Sequence, residues 1–224
     1  MEIQANKKRY NSTVYDPRID YSQTESHFAF LPIKPYLESI IAPGVRALDL
    51  GCNAGRFTFL MEEMGAKAVG VDFASAPLRI ARRIAEQLGS QCQFVEASML
   101  DLPFEDRSFD LAILPKVIIE LSYQDFDLLC QQLSRKLSPH GHFCFTLRDA
   151  LRRIDNDHFT ADSYQASTGL KVSLHDLPDI GLVEYHTYFW TVAYAKTIAS
   201  RWLECVNEIE FAPNDYWLEF IVPE

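Results

Sequence analysis

From about residue 44 onward, short apolar runs alternate with amphipathic stretches. "VRALDL" (45–50) has the near-continuous apolar pattern of a strand buried on both faces. "GRFTFLMEEMG" (55–65) then predicts a helix closed by Gly65. A second strand is expected at "AKAVGVDF" (66–73) and a second helix at "APLRIARRIAEQLG" (76–89). That helix puts Leu78, Ile80, Ala81, Ile84, Ala85 and Leu88 on its buried side, with Pro77 in the first turn and Gly89 at the end. "CQFVEA" (92–97) and "FDLAIL" (109–114) read as the third and fourth strands. "FDLLCQQLSRKLS" (126–138) reads as a helix stopped by "PHG" (139–141), and "HFCFTLR" (142–148) as a fifth strand.

Strands that alternate with helices predict a mostly parallel sheet covered on both faces, with ligands bound at the carboxyl ends of the strands. After residue 150 the pattern changes. "TGLKVSLHD" and "LVEYHTYFW" read as two strands of a hairpin over the ligand cleft, within a substrate-side insertion spanning 150–190. "TVAYAKTIASRWL" (191–203) has helical spacing at Val192, Ala195, Ile198, Ala199 and Trp202, and "VNEIEFA" and "YWLEFIV" close the chain as paired strands. Residues 1–43 form an arm rich in polar residues and tyrosine, with a helix near 33–42, and read as a lid or a loosely packed extension. The main domain is then 44–224.

Between the first strand and the first helix lies "ALDLGCNAGRF", in which Asp49 ends the strand and Gly51 and Gly55 frame a tight turn. Glycines here let the backbone take positive φ and let a ligand approach without a Cβ in the way, while the next helix aims its amides at that ligand. Asn53 tolerates left-handed geometry. Asp72, at the end of the second strand and 21 residues after Gly51, is an acid able to accept bonds from both hydroxyls of a ribose. The plain alternatives are a strand-to-helix corner and a capping carboxylate. A dinucleotide site asks for G-x-G-x-x-G, and no glycine stands two positions after Gly51, so a nicotinamide-dependent oxidoreductase is disfavoured.

Composition narrows the classes further. The 224 residues are 48% apolar, enough for one well-filled domain. A formal net charge of −10 repels phosphate-rich partners, which argues against nucleic acid and against an RNA-modifying role. Five scattered cysteines form no C-x-x-C pair, and the six histidines show no ligand spacing, so no metal is expected. No apolar run approaches the roughly 18 residues of a membrane span. The start of the chain lacks the apolar core of a secretory signal, so the expected compartment is cytoplasmic. Oligomeric state stays open.

The motifs in order resemble the class I S-adenosylmethionine-dependent methyltransferases, in particular the small-molecule branch called type 11, over about residues 45–148. "LDLGCNAGRF" is similar to that family's D-x-G-x-G-x-G motif, with Asn53 in place of the middle glycine. "EASMLDLPFEDRSFDLAIL" resembles "GDAEDLPFPDGSFDLVVS", and "LSRKLSPHGHFCFT" resembles the "L-K-P-G-G" turn with His140 at the first glycine. The resemblance implies a Rossmann-like, doubly wound, mostly parallel seven-stranded sheet with an antiparallel C-terminal strand. It implies S-adenosyl-L-methionine as cofactor and methyl transfer to an oxygen or nitrogen of a small molecule.

The implied cofactor residues are Asp49, Gly51, Cys52, Asn53 and Gly55 in the first loop, and Asp72 with Phe73 at the ribose and adenine. Ser98 and Met99 are implied beside the adenine, and Leu114 and Pro115 beside the methionine part. Ser98 replaces the family's usual aspartate. No base is fixed by the sequence; His186 and Glu120 are the candidates, each with an ordinary structural explanation. Lys116 reads equally as a backbone contact beside the methionine part of the cofactor and as a solvated charge, and Arg148 either meets an anionic substrate or forms a structural ion pair. Cys52 is read as small and buried, not as a nucleophile. A non-catalytic scaffold keeping this fold is the rival that sequence alone leaves standing.

Overall fold

The computed structural model describes residues 33–149, 170–177, 181–188 and 190–224. The arm before residue 33 and most of the link to the hairpin, both expectations of the sequence, lie outside the described residues. The elements in chain order are α1 (Lys34–Ile40), β1 (Arg46–Leu50), α2 (Arg56–Glu63), β2 (Lys67–Asp72), α3 (Ser75–Leu88) and β3 (Gln93–Glu96). There follow β4 (Phe109–Leu114), a 3₁₀ turn (Ile118–Glu120), α4 (Tyr123–Lys136), β5 (Leu137–Arg148), β6 (Leu170–Leu177), β7 (Gly181–Tyr188), α5 (Val192–Ala199), β8 (Glu204–Ala212) and β9 (Asp215–Ile221).

Seven strands form one sheet in the order β3-β2-β1-β4-β5-β9-β8. The first five are parallel, and β9 and β8 join antiparallel. The expected Rossmann-like, mostly parallel sheet with an antiparallel end is borne out. β6 and β7 pair separately as the expected antiparallel hairpin.

Strand order reverses between β1 and β4, because the chain runs outward through β2 and β3 and then returns to the other side of β1. The loops leaving β1 and β4 must diverge there, and the crevice between them is where such sheets bind ligands. One face of the sheet is covered by α1, α2 and α3, whose Leu37, Leu60, Met61, Leu78 and Ala81 are buried. The other face carries α4 and α5 through Phe126, Leu129, Leu133, Ala195 and Ile198, packed on Phe143, Phe145 and Phe220 of the strands.

Both ends of α4 differ from the periodicity. α4 starts at Tyr123, since the Ser122 hydroxyl accepts the Asp125 amide at 3.0 Å and so begins the helix earlier. It ends at Lys136 and not at 138, because Pro139 disfavours helical geometry at Ser138 and the chain turns directly into β5. His140 sits at φ 61, which explains why this position suits a glycine in similar chains. Leu88, expected on the buried face of α3, is 57% exposed, as it lies in the last turn beside Gly89 and beyond the edge of the core.

Candidate functional site

The turn after β1 is held almost entirely by backbone. The amides of Gly51 and Cys52 both donate to the Val71 carbonyl, at 2.8 and 2.9 Å, so the loop folds over the end of β2. Gly51, Asn53 and Gly55 all take positive φ (70°, 52° and 85°). A Cβ on Gly51 would lie 3.0 Å from Val117 and 3.4 Å from the Met99 methyl, so this glycine keeps the crevice between the β1 and β4 loops open. Gly55 has a different reason. Its Cβ would meet the Phe94 ring at 2.6 Å, so it serves the packing of α2 on β3.

Two carboxylates lie beneath this loop. Asp72 is 7% exposed; its Oδ2 accepts the Asn53 amide at 2.9 Å and its Oδ1 the Ala74 amide at 2.8 Å. The capping reading of Asp72 therefore holds; the Phe73 amide is a further donor to this carboxylate, whose remaining acceptor capacity is open to a ligand hydroxyl. Burial pushes its pKa up against these amide bonds. Asp49 is 1% exposed, and its Oδ2 accepts the Thr58 hydroxyl at 2.7 Å. Its Oδ1 is buried with no hydrogen-bond partner among the described residues. Burial raises the Asp49 pKa to about 7. An orphaned carboxylate oxygen at the carboxyl end of a central strand is costly unless a donor or cation reaches it. Neither aspartate forms an ion pair with a described residue.

The other expected residues surround the same crevice. Phe73 is half-buried directly after β2. The Ser98 hydroxyl accepts the Leu100 amide at 3.2 Å and so shapes the turn after β3. Gln132 of α4 ties that turn down, its amide nitrogen donating to the Met99 carbonyl at 3.3 Å and its Oε1 accepting the Leu102 amide at 3.1 Å. Leu114 is fully buried and Pro115 buried at the end of β4. Cys52 is 5% exposed, and burial drives its thiol pKa far up, which suits the inert reading.

Past Pro115, Lys116 adopts φ 61 and its amide donates to the Thr146 hydroxyl of β5 at 2.7 Å. Glu120 lies half-buried in the 3₁₀ turn, and β7, which carries His186, packs against that turn. His186 is paired through its backbone with Val172. Arg148 is held by Asp215 through two bonds, Nε to Oδ1 at 2.9 Å and Nη2 to Oδ2 at 2.6 Å, so the ion-pair reading is correct for that contact. Trp190 is core, packed edge-on against Tyr123 at 4.7 Å and Phe126 at 5.0 Å.

Thr58, Gly70, Gln132 and Thr146 were not apparent from the sequence. Thr58 carried a readable signal, a hydroxyl in the apolar stripe of α2 facing the strand that ends in Asp49. Gly70 is required because a Cβ there would lie 2.7 Å from the Cys52 sulfur and 2.8 Å from the Thr58 hydroxyl. Among the described residues no group of three or more His, Cys, Asp or Glu side chains is arranged to hold a metal, and no helix is long and apolar enough to cross a membrane.

Comparison with known proteins matches residues 41–203 to the family model described as "Methyltransferase domain". The chain is 38% identical over 98 residues to a demethylmenaquinone methyltransferase of Thermus thermophilus, covering 43% of this chain and 44% of that protein. It spans about half the length of the curated relatives it matches. In fold it resembles a Pyrococcus horikoshii OT3 protein with a TM-score of 0.75 at 21% identity, covering 94% of this chain and 97% of that one. It also resembles a Burkholderia thailandensis 1,6-didemethyltoxoflavin-N1-methyltransferase, solved with 1,6-didemethyltoxoflavin and S-adenosylhomocysteine. That TM-score is 0.68 at 16% identity, covering 99% of this chain and 89% of that one.

Proposed function

Since the chain belongs to the methyltransferase domain family of class I, S-adenosylmethionine-dependent enzymes, we propose that it moves a methyl group from S-adenosylmethionine to an oxygen or nitrogen of a small molecule. The observation that carries this reading is the orphaned Asp49 Oδ1 below a glycine turn that keeps the β1–β4 crevice open. The amino group of the methionine part fits that oxygen, and the ribose hydroxyls fit the spare lone pairs of Asp72. Pyrophosphate does not fit, because it would bring negative charge toward two buried carboxylates. Phe73 would lie against the adenine, the Met99 amide and Ser98 at its edge, and the backbone of Leu114 and Pro115 along the methionine part. Gly51, Cys52, Asn53 and Gly55 supply the turn that lets them converge.

When bound, the cofactor supplies an electrophilic methyl on a sulfonium. The residues of the chain have positioning work to do: to hold the acceptor in line, to exclude water and, for a poorly acidic acceptor, to remove a proton. Glu120 and His186 stand on neighbouring segments on the acceptor side of the crevice and are the groups we assign as base candidates. The hairpin that carries His186 and packs on the turn of Glu120 (β6–β7, within the 150–190 insertion) is read as the acceptor-side wall. The Thermus relative and the Burkholderia neighbour carry the names of small, ring-containing acceptors, which supports a small-molecule substrate here.

The test is release of S-adenosylhomocysteine from methyl-tritiated S-adenosylmethionine over a panel of phenols, quinols and amines. Acceptor-dependent release is expected. Tight cofactor binding with no turnover on any acceptor would favour the scaffold reading instead.

A further inference from the structure

At the carboxyl ends of β4 and β5, cations gather in a protein that is otherwise strongly acidic. Lys116 forms no ion pair with a described residue and is held in left-handed geometry, a conformation that costs a β-carbon-bearing residue about 1 kcal/mol or more. The Thr146 hydroxyl fixes its amide there at 2.7 Å, so the lysine is placed deliberately at the end of β4. Two positions along β5 stands Arg148, oriented by Asp215; that pairing uses Nε and one Nη2 hydrogen and leaves three donors. Arg56, at the start of α2 where the helix dipole disfavours a cation, lies within electrostatic reach of Lys116. Arg148 and Arg56 thus both lie within electrostatic reach of Lys116, and Asp215 is the carboxylate that offsets them there. Lys116 is exposed; partial desolvation, together with Arg148 and Arg56, pushes its pKa below the ordinary lysine value, against the pull of Asp215. On the same face of the sheet, directly across from Thr146, Trp217 has a buried indole N–H with no acceptor.

We propose that Lys116 and Arg148 bind a carboxylate of the methyl acceptor, so that the substrate class is a small organic acid anchored by its anionic end. This rests on the methyltransferase reading above and adds the chemistry of its second substrate. An anion approaching a chain of net charge −10 is repelled at long range, so it needs local cations of this kind to be held. The anchor lies at the ends of β4 and β5, on the side of the switch point away from Asp72, which leaves the rest of the acceptor free to extend toward the crevice.

The test uses matched acid and amide probes: benzoate with benzamide, salicylate with salicylamide, and octanoate with octanamide. Each is titrated calorimetrically into protein saturated with S-adenosylhomocysteine, for the wild type, Lys116→Gln and Lys116→Arg. The expected result is at least one acid binding about tenfold or more tighter than its amide, with that margin lost in Lys116→Gln and kept in Lys116→Arg. Acids indistinguishable from amides in all three pairs would overturn the proposal. So would a Lys116→Gln protein whose affinity for S-adenosylhomocysteine falls by the same factor, because the lysine would then serve the cofactor's own carboxylate. A wild type that binds no S-adenosylhomocysteine is a separate failure, that of the cofactor reading itself.

Discussion

On the β1–β2 side of the switch point the chain buries two carboxylates, Asp49 and Asp72, with no ion-pair partner among the described residues, and holds its loop by backbone amides. On the β4–β5 side Arg148 and Arg56 both lie within electrostatic reach of Lys116, and the strand ends are tied by side chains, Thr146 to Lys116 and Asp215 to Arg148. Buried acids lacking cations suit a ligand that brings an ammonium and hydroxyls, whereas clustered cations suit one that brings an anion. On the proposed reading, the two sides of one crevice suit partners of opposite polarity.

The contrast can be broken most severely at Gly55. Adding a Cβ where Phe94 stands at 2.6 Å, at φ 85, should cost about 2–4 kcal/mol in a urea unfolding curve for Gly55→Ala. The same change on the acceptor side has no counterpart, because no such glycine holds the β4 or β5 end.

The next effect sharpens the electrostatic half of the comparison. A bound ammonium requires Asp49 ionised, so affinity for S-adenosylhomocysteine should weaken by up to about tenfold per unit as pH falls below about 7, and Asp49→Asn should bind weakly with no such dependence. The ligand-free fold should respond in the opposite direction. Folding raises the Asp49 pKa from 3.8 to about 7, so the folded chain binds the extra proton. The stabilising share of this group is present at low pH and is lost as pH rises through that interval. Calorimetry and thermal unfolding between pH 5 and 8 read both, with Asp49→Asn as the reference that removes this group's share.

Smaller still, Thr146→Val should cost about 1 kcal/mol by removing the acceptor of the Lys116 amide, and should leave S-adenosylhomocysteine affinity unchanged. The smallest effect is expected far from the crevice. Arg46 holds Asp110 with bonds of 2.9 and 2.6 Å and keeps its pKa down at about 2, but both side chains are over a third exposed or nearly so. Arg46→Gln should therefore cost less than about 1 kcal/mol at pH 7, and the pair's contribution should disappear as pH falls from about 4 through 2.

The geometry of the β1–β2 side was legible because its determinants are local in sequence. Asp49, Gly51 and Gly55 stand within one turn, and Asp72 ends the very next strand, so spacing alone brought them together. The acceptor side was not legible for the opposite reason. Arg148 meets Asp215 and Lys116 meets Thr146 only through strand register, across intervals that no periodicity marks. Thr58 and Gly70 escaped notice for a third reason: each looks like an unremarkable small residue until Asp49 and Cys52 are packed against it. The helix limits missed by two or three residues at α4 because a serine cap and a proline outrank hydrophobic spacing at helix ends.

The most direct test of the central claim is thermal unfolding of the wild type and Asp72→Asn with S-adenosylhomocysteine, with NAD and with no ligand. At about 100 times its dissociation constant a ligand adds about 2.7 kcal/mol, roughly 5–10 °C for a chain of this size. The expected result is such a shift for the wild type with S-adenosylhomocysteine alone, largely lost in Asp72→Asn. A shift of equal size in the variant, or none in the wild type at millimolar ligand, would contradict the assignment of this crevice to the cofactor.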